Sequence, residues 1–124
     1  MYGLKQDAFK MTLLFDFYGT LLTEKQQSYF DLYYNQDFSL GEIAEQEGIS
    51  RQGVRDVIVR AEAAMQEIED KTGLIKRFEQ MRSHLASIQT AVEGIKTLNY
   101  RQYEDPRLSE LTELITQKIA ALKD

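Results

Sequence analysis

Residues 39–60 read SLGEIAEQEGISRQGVRDVIVR, and this segment decides the fold. Ser39 and Glu42 stand three residues apart, the spacing of a capping box, so they predict the start of a short helix. Gly48 predicts the end of that helix, because glycine adopts the left-handed backbone conformation at little cost. Ser50 is a good N-cap residue and predicts the start of a second, longer helix directly after the turn.

The apolar residues of this segment fit two helices that cross through a tight turn. The inward side chains of the first helix are Leu40, Ile43 and Ala44. Those of the second helix, spaced at three and four residues, are Val54, Val57, Ile58, Ala61, Met65 and Ile68. The small Ala44 permits close approach of the helices, Ile49 fills the corner, and Val54 packs beneath the first helix. This layout predicts a helix-turn-helix unit.

The first turns of the second helix carry polar side chains on the side away from its apolar residues. Arg51, Gln52 and Arg55 stand there, with Asp56 beside them. In a major groove, arginine can pair with guanine through two hydrogen bonds, and glutamine can pair with adenine in the same way. Free backbone N–H groups at a helix start also favour a phosphate. The segment therefore predicts contact with nucleic acid.

Two further helices are predicted in front of this segment. The first has an apolar stripe at helical spacing, formed by Leu4, Ala8, Met11, Phe15 and Tyr18. Gly19 predicts its end, and Thr23 with Gln26 forms a capping box for the next helix. Phe30, Tyr33 and Tyr34 give that helix a face to bury, so these tyrosines are expected in the core rather than stacked on bases.

The residues after Gly73 predict helices that associate. Apolar residues alternate at spacings of four and three over three heptads; they are Leu74, Phe78, Met81, Leu85, Ile88, Val92 and Ile95. Residues 99–106 read as a linker, and Pro106 predicts a last helix carrying Leu108, Leu111, Ile115, Ile119 and Leu122. The heptads could pack on this last helix or join another subunit. A homodimer is favoured, because one short helix hardly covers three heptads, and a dimer would set the separation of two recognition helices.

The segment from Thr23 to Met65 resembles region 4 of sigma factors. The similarity lies in a T-x-x-Q-x-x-x-F opening, S-x-x-E-I-A, I-S-R at the turn, and R-A-E at the close. With LLFDFYGTLLTEKQ in front, residues 4–80 resemble the YlxM-type family of small bacterial helix-turn-helix proteins (UPF0122). The resemblance implies nucleic-acid contacts at Ser50, Arg51, Gln52, Arg55 and Arg60. It also implies a regulatory or accessory role in the signal recognition particle pathway, inferred from gene position in that family.

Glu47 departs from the region 4 pattern, which prefers an apolar residue at that position. The departure predicts weaker packing of the short helix and places a negative charge near the proposed groove-binding face.

The amino-acid composition restricts the possible fold classes and excludes several kinds of functional site. The chain has 124 residues, one proline and no cysteine, which predicts an all-α helix-turn-helix protein without disulfides or cysteine-bound metal. We expect a helix-turn-helix domain over residues 1–73 and a helical association segment over residues 74–124. No stretch is long and apolar enough to span a bilayer, and no export signal is evident at the start, so a cytoplasmic protein is expected. The sequence predicts neither a cofactor nor a metal site.

One motif imitates a hydrolase. FDFYGTLL at residues 15–22 is similar to the nucleophile motif of haloacid-dehalogenase-type enzymes, with Asp16 as the nucleophile and Thr20 beside it. That chemistry requires a strand to aim the aspartate, whereas Asp16 falls on the polar side of a helical pattern. His84, the single histidine, is expected in water between heptad residues. The sequence therefore predicts a protein that is not an enzyme.

The net charge of −5 leaves the choice of partner open. Residues 39–60 hold three arginines against four acidic residues, so they provide few phosphate contacts, and two paired copies would double them. DNA bound through its major groove is the first hypothesis, and structured RNA is not distinguished from it. The alternative is an adaptor that binds a component of the signal recognition particle or RNA polymerase through protein contacts, since the acidic residues 61–73 suit a basic partner.

Overall fold

The structure, a computed structural model, describes residues 7–123, and within them it is all-α with no strand. This confirms the predicted fold class. The chain divides into two compact units, the first ending at Ile75 and the second beginning at Lys76. The α-helices are α1 (Ala8–Tyr18), α2 (Glu24–Phe30), α3 (Leu40–Glu47), α4 (Arg51–Thr72), α5 (Leu74–Leu98) and α6 (Pro106–Lys123). A 3₁₀ turn (Gly19–Leu21) and two π-helical turns (Asp31–Asn35 and Asn99–Tyr103) extend three of them.

Side-chain caps fix where α2, α3 and α4 begin. Thr23 and Gln26 form the predicted capping box on α2, with hydrogen bonds of 3.1 Å in both directions. Ser39 and Glu42 form the second box on α3. Ser50 caps α4, because its hydroxyl oxygen accepts a hydrogen bond of 2.9 Å from the backbone N–H of Gly53. Each cap satisfies backbone donors that a helix start leaves without an intrahelical partner.

The first helix packs differently from the predicted stripe. Leu14 and Tyr18 are its buried residues, whereas Ala8, Met11 and Phe15 are half-buried. The predicted first residue of the stripe, Leu4, lies outside the described residues. Gly19 follows the helix as predicted but keeps a right-handed conformation, with φ −55°. Its small size matters for another reason, since a Cβ there would lie 3.0 Å from the Phe15 ring.

Helix α4 is the centre of the first unit, and two layers of core follow each other along it. Val54 and Ile58, in its first half, are buried by α2, α3 and the π-helical turn Asp31–Asn35. Their other buried neighbours are Tyr29, Tyr33, Ile43 and Ala44. Ala61 and Met65, in its second half, are buried by α1 and α2; their layer also contains Leu14, Tyr18, Leu22, Phe30 and Ile75. Burying one face of α4 in this way leaves its opposite face to water.

The second unit is a hairpin of two antiparallel helices. Its cross-helix contacts join Asn99 to Ser109, Lys96 to Glu113 and Gln89 to Lys123, so the partners advance in opposite directions along the chain. The buried residues are Leu85, Val92, Asn99, Thr112 and Ile119. A hairpin of this kind is the helical counterpart of a β-hairpin, with one line of contact between its helices.

Residues 99–106, the predicted linker, form a tight connection between α5 and α6. Asn99 is buried, and its side-chain amide donates to the Asp105 carbonyl oxygen (2.9 Å) and to Ser109 Oγ (3.0 Å). Its side-chain oxygen accepts from the Asp105 N–H at 2.8 Å. One side chain therefore holds both ends of the turn. The predicted linker is therefore an ordered connection, because buried Asn99 supplies the hydrogen bonds that the polar turn needs.

Gly48 and Gly94 provide a matched pair of substitutions. A Cβ at either glycine would have no neighbour within 4 Å, but Gly48 has φ +71° and Gly94 lies within α5. Gly48→Ala should lower the free energy of unfolding by about 1 kcal/mol, because an L-residue is strained in the left-handed region. Gly94→Ala should raise it by roughly 0.5–1 kcal/mol, because alanine loses less entropy in a helix. Urea denaturation checks both, and equal effects of the two changes would contradict the turn geometry.

Candidate nucleic-acid interface

The turn between α3 and α4 determines the direction and exposure of the first turn of α4. Gly48 adopts the left-handed conformation, and the Ala44 carbonyl accepts hydrogen bonds from the N–H groups of Gly48 (2.9 Å) and Ile49 (3.1 Å). Ile49 is half-buried, and Val54 is buried completely beneath α3. The predicted helix-turn-helix packing is therefore present, and it leaves the first turn of α4 exposed.

A groove of about 700 Å³ runs between the beginnings of α3 and α4. Its lining comes from the π-helical turn, the following loop and the first turns of α3 and α4; the residues are Tyr33, Asp37, Phe38, Ser39, Leu40, Gly41, Arg51, Gln52 and Arg55. The groove thus brings together three of the five predicted contact residues. It combines two guanidinium groups, one carboxylate, and an aromatic wall.

Gly41 lets the Arg51 side chain lie against α3. A Cβ at Gly41 would stand 3.0 Å from Arg51 Nε and 3.2 Å from Nη2. A larger residue would therefore push the guanidinium group away from the helix. Sequence reasoning missed this role, although a glycine inside a helix as short as α3, where alanine has the higher helix propensity, is the signal that could have revealed it.

Arg55 lies near a carboxylate that already has another partner. The Tyr34 hydroxyl donates a hydrogen bond to Glu62 Oε2. Burial raises the pKa of Glu62, while the bond from Tyr34 and the positive charge of Arg55 act in the opposite direction. The same burial and bond raise the pKa of Tyr34. Arg55 is half-buried, so its stem packs on the protein while its charge faces the groove.

The arginines of α4 are not consumed by ion pairs. No carboxylate of residues 7–123 forms an ion pair with Arg51, Arg55 or Arg60, whereas Lys71, Lys96 and Arg107 each form at least one. Arg51 and Arg60 are exposed. Their donors are thus available to a ligand, which is the condition that base or phosphate contact requires.

The other predicted contact residues either have hydrogen-bond partners already or lie outside the groove. Ser50 Oγ already accepts the capping hydrogen bond from Gly53. The Gln52 amide donates to Asp56 Oδ1 at 2.9 Å, so its carbonyl oxygen is the part left for a base. Arg60 does not line the groove, since it lies five residues after Arg55 and about 140° further round the helix. The structure therefore separates Arg60 from the Arg51 and Arg55 pair.

Acidic residues surround this surface. Asp37 lies in the groove itself, and Glu47 is exposed at the end of α3. The unusual Glu47 has a partner inside the domain, because its carboxylate accepts a hydrogen bond from the Tyr29 hydroxyl. Burial raises the pKa of Tyr29, and the charge of Glu47 and this hydrogen bond raise it further. The local charge around the groove is consequently mixed, as residue counting predicted.

The motif that imitates a hydrolase lies in helical structure. Asp16 is exposed on α1, and Thr20 lies in the 3₁₀ turn that follows. The strand end that would aim a nucleophilic aspartate is replaced by a helix. His84 is exposed on α5, as predicted. Among residues 7–123, no three His, Asp or Glu side chains are grouped closely enough to hold a metal ion.

The helices of the described residues are all too short or too polar to cross a membrane.

Comparison with known proteins identifies the family. The model of a family described as "Putative helix-turn-helix protein, YlxM / p13 like" matches residues 5–104. A UPF0122 protein of Thermoanaerobacter sp. (strain X514) is 42% identical over 119 residues, covering 96% of this chain and 98% of that protein. A UPF0122 protein of Halalkalibacterium halodurans is 51% identical over 84 residues, covering 68% of this chain and 77% of that protein. Most of the chain is therefore shared with these relatives.

Proposed function

The chain belongs to the YlxM/p13-like family of helix-turn-helix proteins, and we propose that it binds duplex DNA with the start of α4 in the major groove. Arg51 and Arg55 pair with base edges, and Gln52 offers its carbonyl oxygen to a base amino group. Ser50 caps the helix and directs its first N–H groups at a phosphate. Arg60, on another side of α4, contacts the backbone. In this proposal the protein regulates transcription. It would do so in the cytoplasm, the location that the sequence predicts, because bacterial DNA lies there.

The observation that carries this proposal is the state of the two guanidinium groups. Arg51 and Arg55 line one groove at the exposed start of a helix, and neither has a carboxylate within ion-pair distance in the described part of the chain. Gly41 leaves the space in which Arg51 lies.

The number of positive charges limits the strength of binding. Each copy offers three arginines on α4, and Asp37 and Asp56 lie beside them. Two paired copies would double the phosphate contacts, so a homodimer is part of the proposal.

A second candidate function is supported by the charge of the other half of α4. Glu67 and Asp70 are exposed there, and the net charge of the chain is −5. A surface of this kind favours a basic partner, such as a component of the signal recognition particle or a subunit of RNA polymerase. The resemblance to the family is what suggests a role in the signal recognition particle pathway. The protein would act there either by binding a component of the particle or by regulating the pathway.

Salt dependence distinguishes the two functions. Duplexes selected from a random pool should bind with an affinity that falls with added salt, with a logarithmic slope of roughly −2 per copy for the two phosphate contacts, at the helix start and at Arg60. Structured RNA of equal length, measured in parallel, decides between DNA and RNA. A protein adaptor should select no duplex, and its contact with a partner should change little with salt. Failure to enrich any nucleic acid would refute the proposal.

A further inference from the structure

The second unit has an apolar face that its own hairpin leaves exposed. Three residues of α5 and three of α6 contribute to it; they are Met81, Ile88, Ile95, Leu111, Ile115 and Leu122, each between 39% and 57% exposed. By contrast, the residues that hold the two helices together, Leu85, Val92 and Ile119, are between 3% and 6% exposed. The predicted heptad stripe is thus divided, with one part inside the hairpin and the other part outside it.

Both halves of the face point to the same side of the hairpin. On α5, Ile88 lies about 60° round the helix from buried Leu85, and on α6 Ile115 lies about 60° from buried Thr112, in the same rotational sense along the chain. Because the helices are antiparallel and face each other, the same sense of rotation directs both stripes to one side. The polar residues Thr90 and Glu113 fall on the opposite side, and both are exposed. The hairpin as a whole is therefore amphipathic.

We propose that this face binds the same face of a second copy, so that two hairpins form a four-helix bundle. A twofold symmetric contact uses one patch twice, and an apolar patch that crosses both helices is complementary to itself. Helix pairs that bury one line of side chains are thin, and bundles of four helices give each helix two neighbours. Within the hairpin, the buried large apolar residues are Leu85 and Val92 on α5 and Ile119 on α6, which make such a thin core.

The size of the face agrees with a reversible dimer. From Met81 to Ile95 it is about 20 Å long, and two helices side by side make it about 20 Å wide. Pairing two copies then buries on the order of 1,000 Å² in total, which is the lower limit for a specific interface. Arg77 lies before Met81 at one end of the face, and Lys118 lies within it, seven residues after Leu111; both are exposed, and their long side chains can cover apolar atoms while their charges stay in water. We therefore expect a dimer that dissociates on dilution.

Sedimentation equilibrium without nucleic acid tests the proposal independently of DNA binding. The parent should shift from monomer to dimer with concentration, and Ile88→Glu should raise the dissociation constant by roughly 30-fold or more. Thr90→Glu is the matched control, since it adds the same charge to the polar side of α5 and should leave the dissociation constant unchanged. A parent that stays monomeric at every attainable concentration, or equal weakening by both variants, overturns the proposal.

Cross-linking detects the dimer directly and does not require a variant, such as Ile88→Glu, that weakens it. The chain contains no cysteine, so a single engineered cysteine is the only reactive thiol. Ile88→Cys should yield cross-linked dimers with a short bis-maleimide, whereas Thr90→Cys should not. If Thr90→Cys cross-links as efficiently as Ile88→Cys, another surface joins the copies and the proposed face is wrong. If neither cross-links and the parent is monomeric, the copies do not pair and the proposal fails as well.

Discussion

Joint replacement of Arg51 and Arg55 by alanine should weaken binding to a selected duplex by about 100-fold or more. Each arginine that pairs with a base contributes roughly 1–3 kcal/mol to discrimination, so two together account for most of the specificity. Both side chains lie outside the buried core, and the helical content should remain that of the parent. Titration of a labelled duplex by fluorescence anisotropy measures the affinity, and circular dichroism checks the fold.

Two single substitutions serve as controls for this experiment. Arg60→Ala should weaken binding to selected and unrelated duplexes alike, because a backbone contact carries no sequence information. Arg82→Ala removes the same charge from an exposed position in the second unit and should have little effect. The groove hypothesis fails if the double variant binds every duplex as tightly as the parent, or if Arg82→Ala does equal damage.

Alkaline pH should unfold the first unit. Burial raises the pKa of four tyrosines above 10, with further contributions from Glu69 at Tyr18, Glu47 at Tyr29 and Glu62 at the others, which are Tyr33 and Tyr34. The folded state therefore retains these protons to a higher pH than the unfolded state does. Stability is fully present below about pH 10 and is lost as the pH rises further, because the unfolded chain ionises first.

Tyrosinate absorbance and circular dichroism, followed together, should show one joint transition for these residues. Tyr34→Phe should reduce the steepness of this pH dependence. At pH 7 the same change should cost about 1–3 kcal/mol, because the half-buried Glu62 loses its donor. If the four tyrosines ionise while the helices persist, their burial in the first unit is wrong.

Local chemistry made most of the first unit predictable. Capping boxes and a left-handed glycine act within a few residues, so Thr23, Ser39 and Gly48 could be identified without knowledge of the tertiary fold. The packing of the second unit was harder to predict from sequence, because a heptad pattern does not reveal how many partners a helix has. Leu85 and Ile88 look alike in sequence, yet one is buried in the hairpin and the other is exposed. Asn99 and Thr112 are buried polar residues that an apolar pattern passes over.

The candidate site was predictable in its position and less so in its composition. Arg51 and Arg55 were found because their distance from the apolar stripe is set by helix periodicity. Gly41 and Asp37 were missed, since their part in the groove depends on how α3 and the preceding loop approach α4. Arg60 was grouped with the other arginines by resemblance, whereas helix geometry places it on another side.

The most direct test of the central claim is the map of backbone amide chemical-shift changes when a selected duplex is added to nitrogen-15-labelled protein. Binding through the start of α4 predicts the largest changes from Ser50 to Asp56 and at Gly41, with little change along the polar side of α5. Large changes confined to the acidic second half of α4 or to the second unit, with Arg51 and Arg55 unaffected, would contradict it.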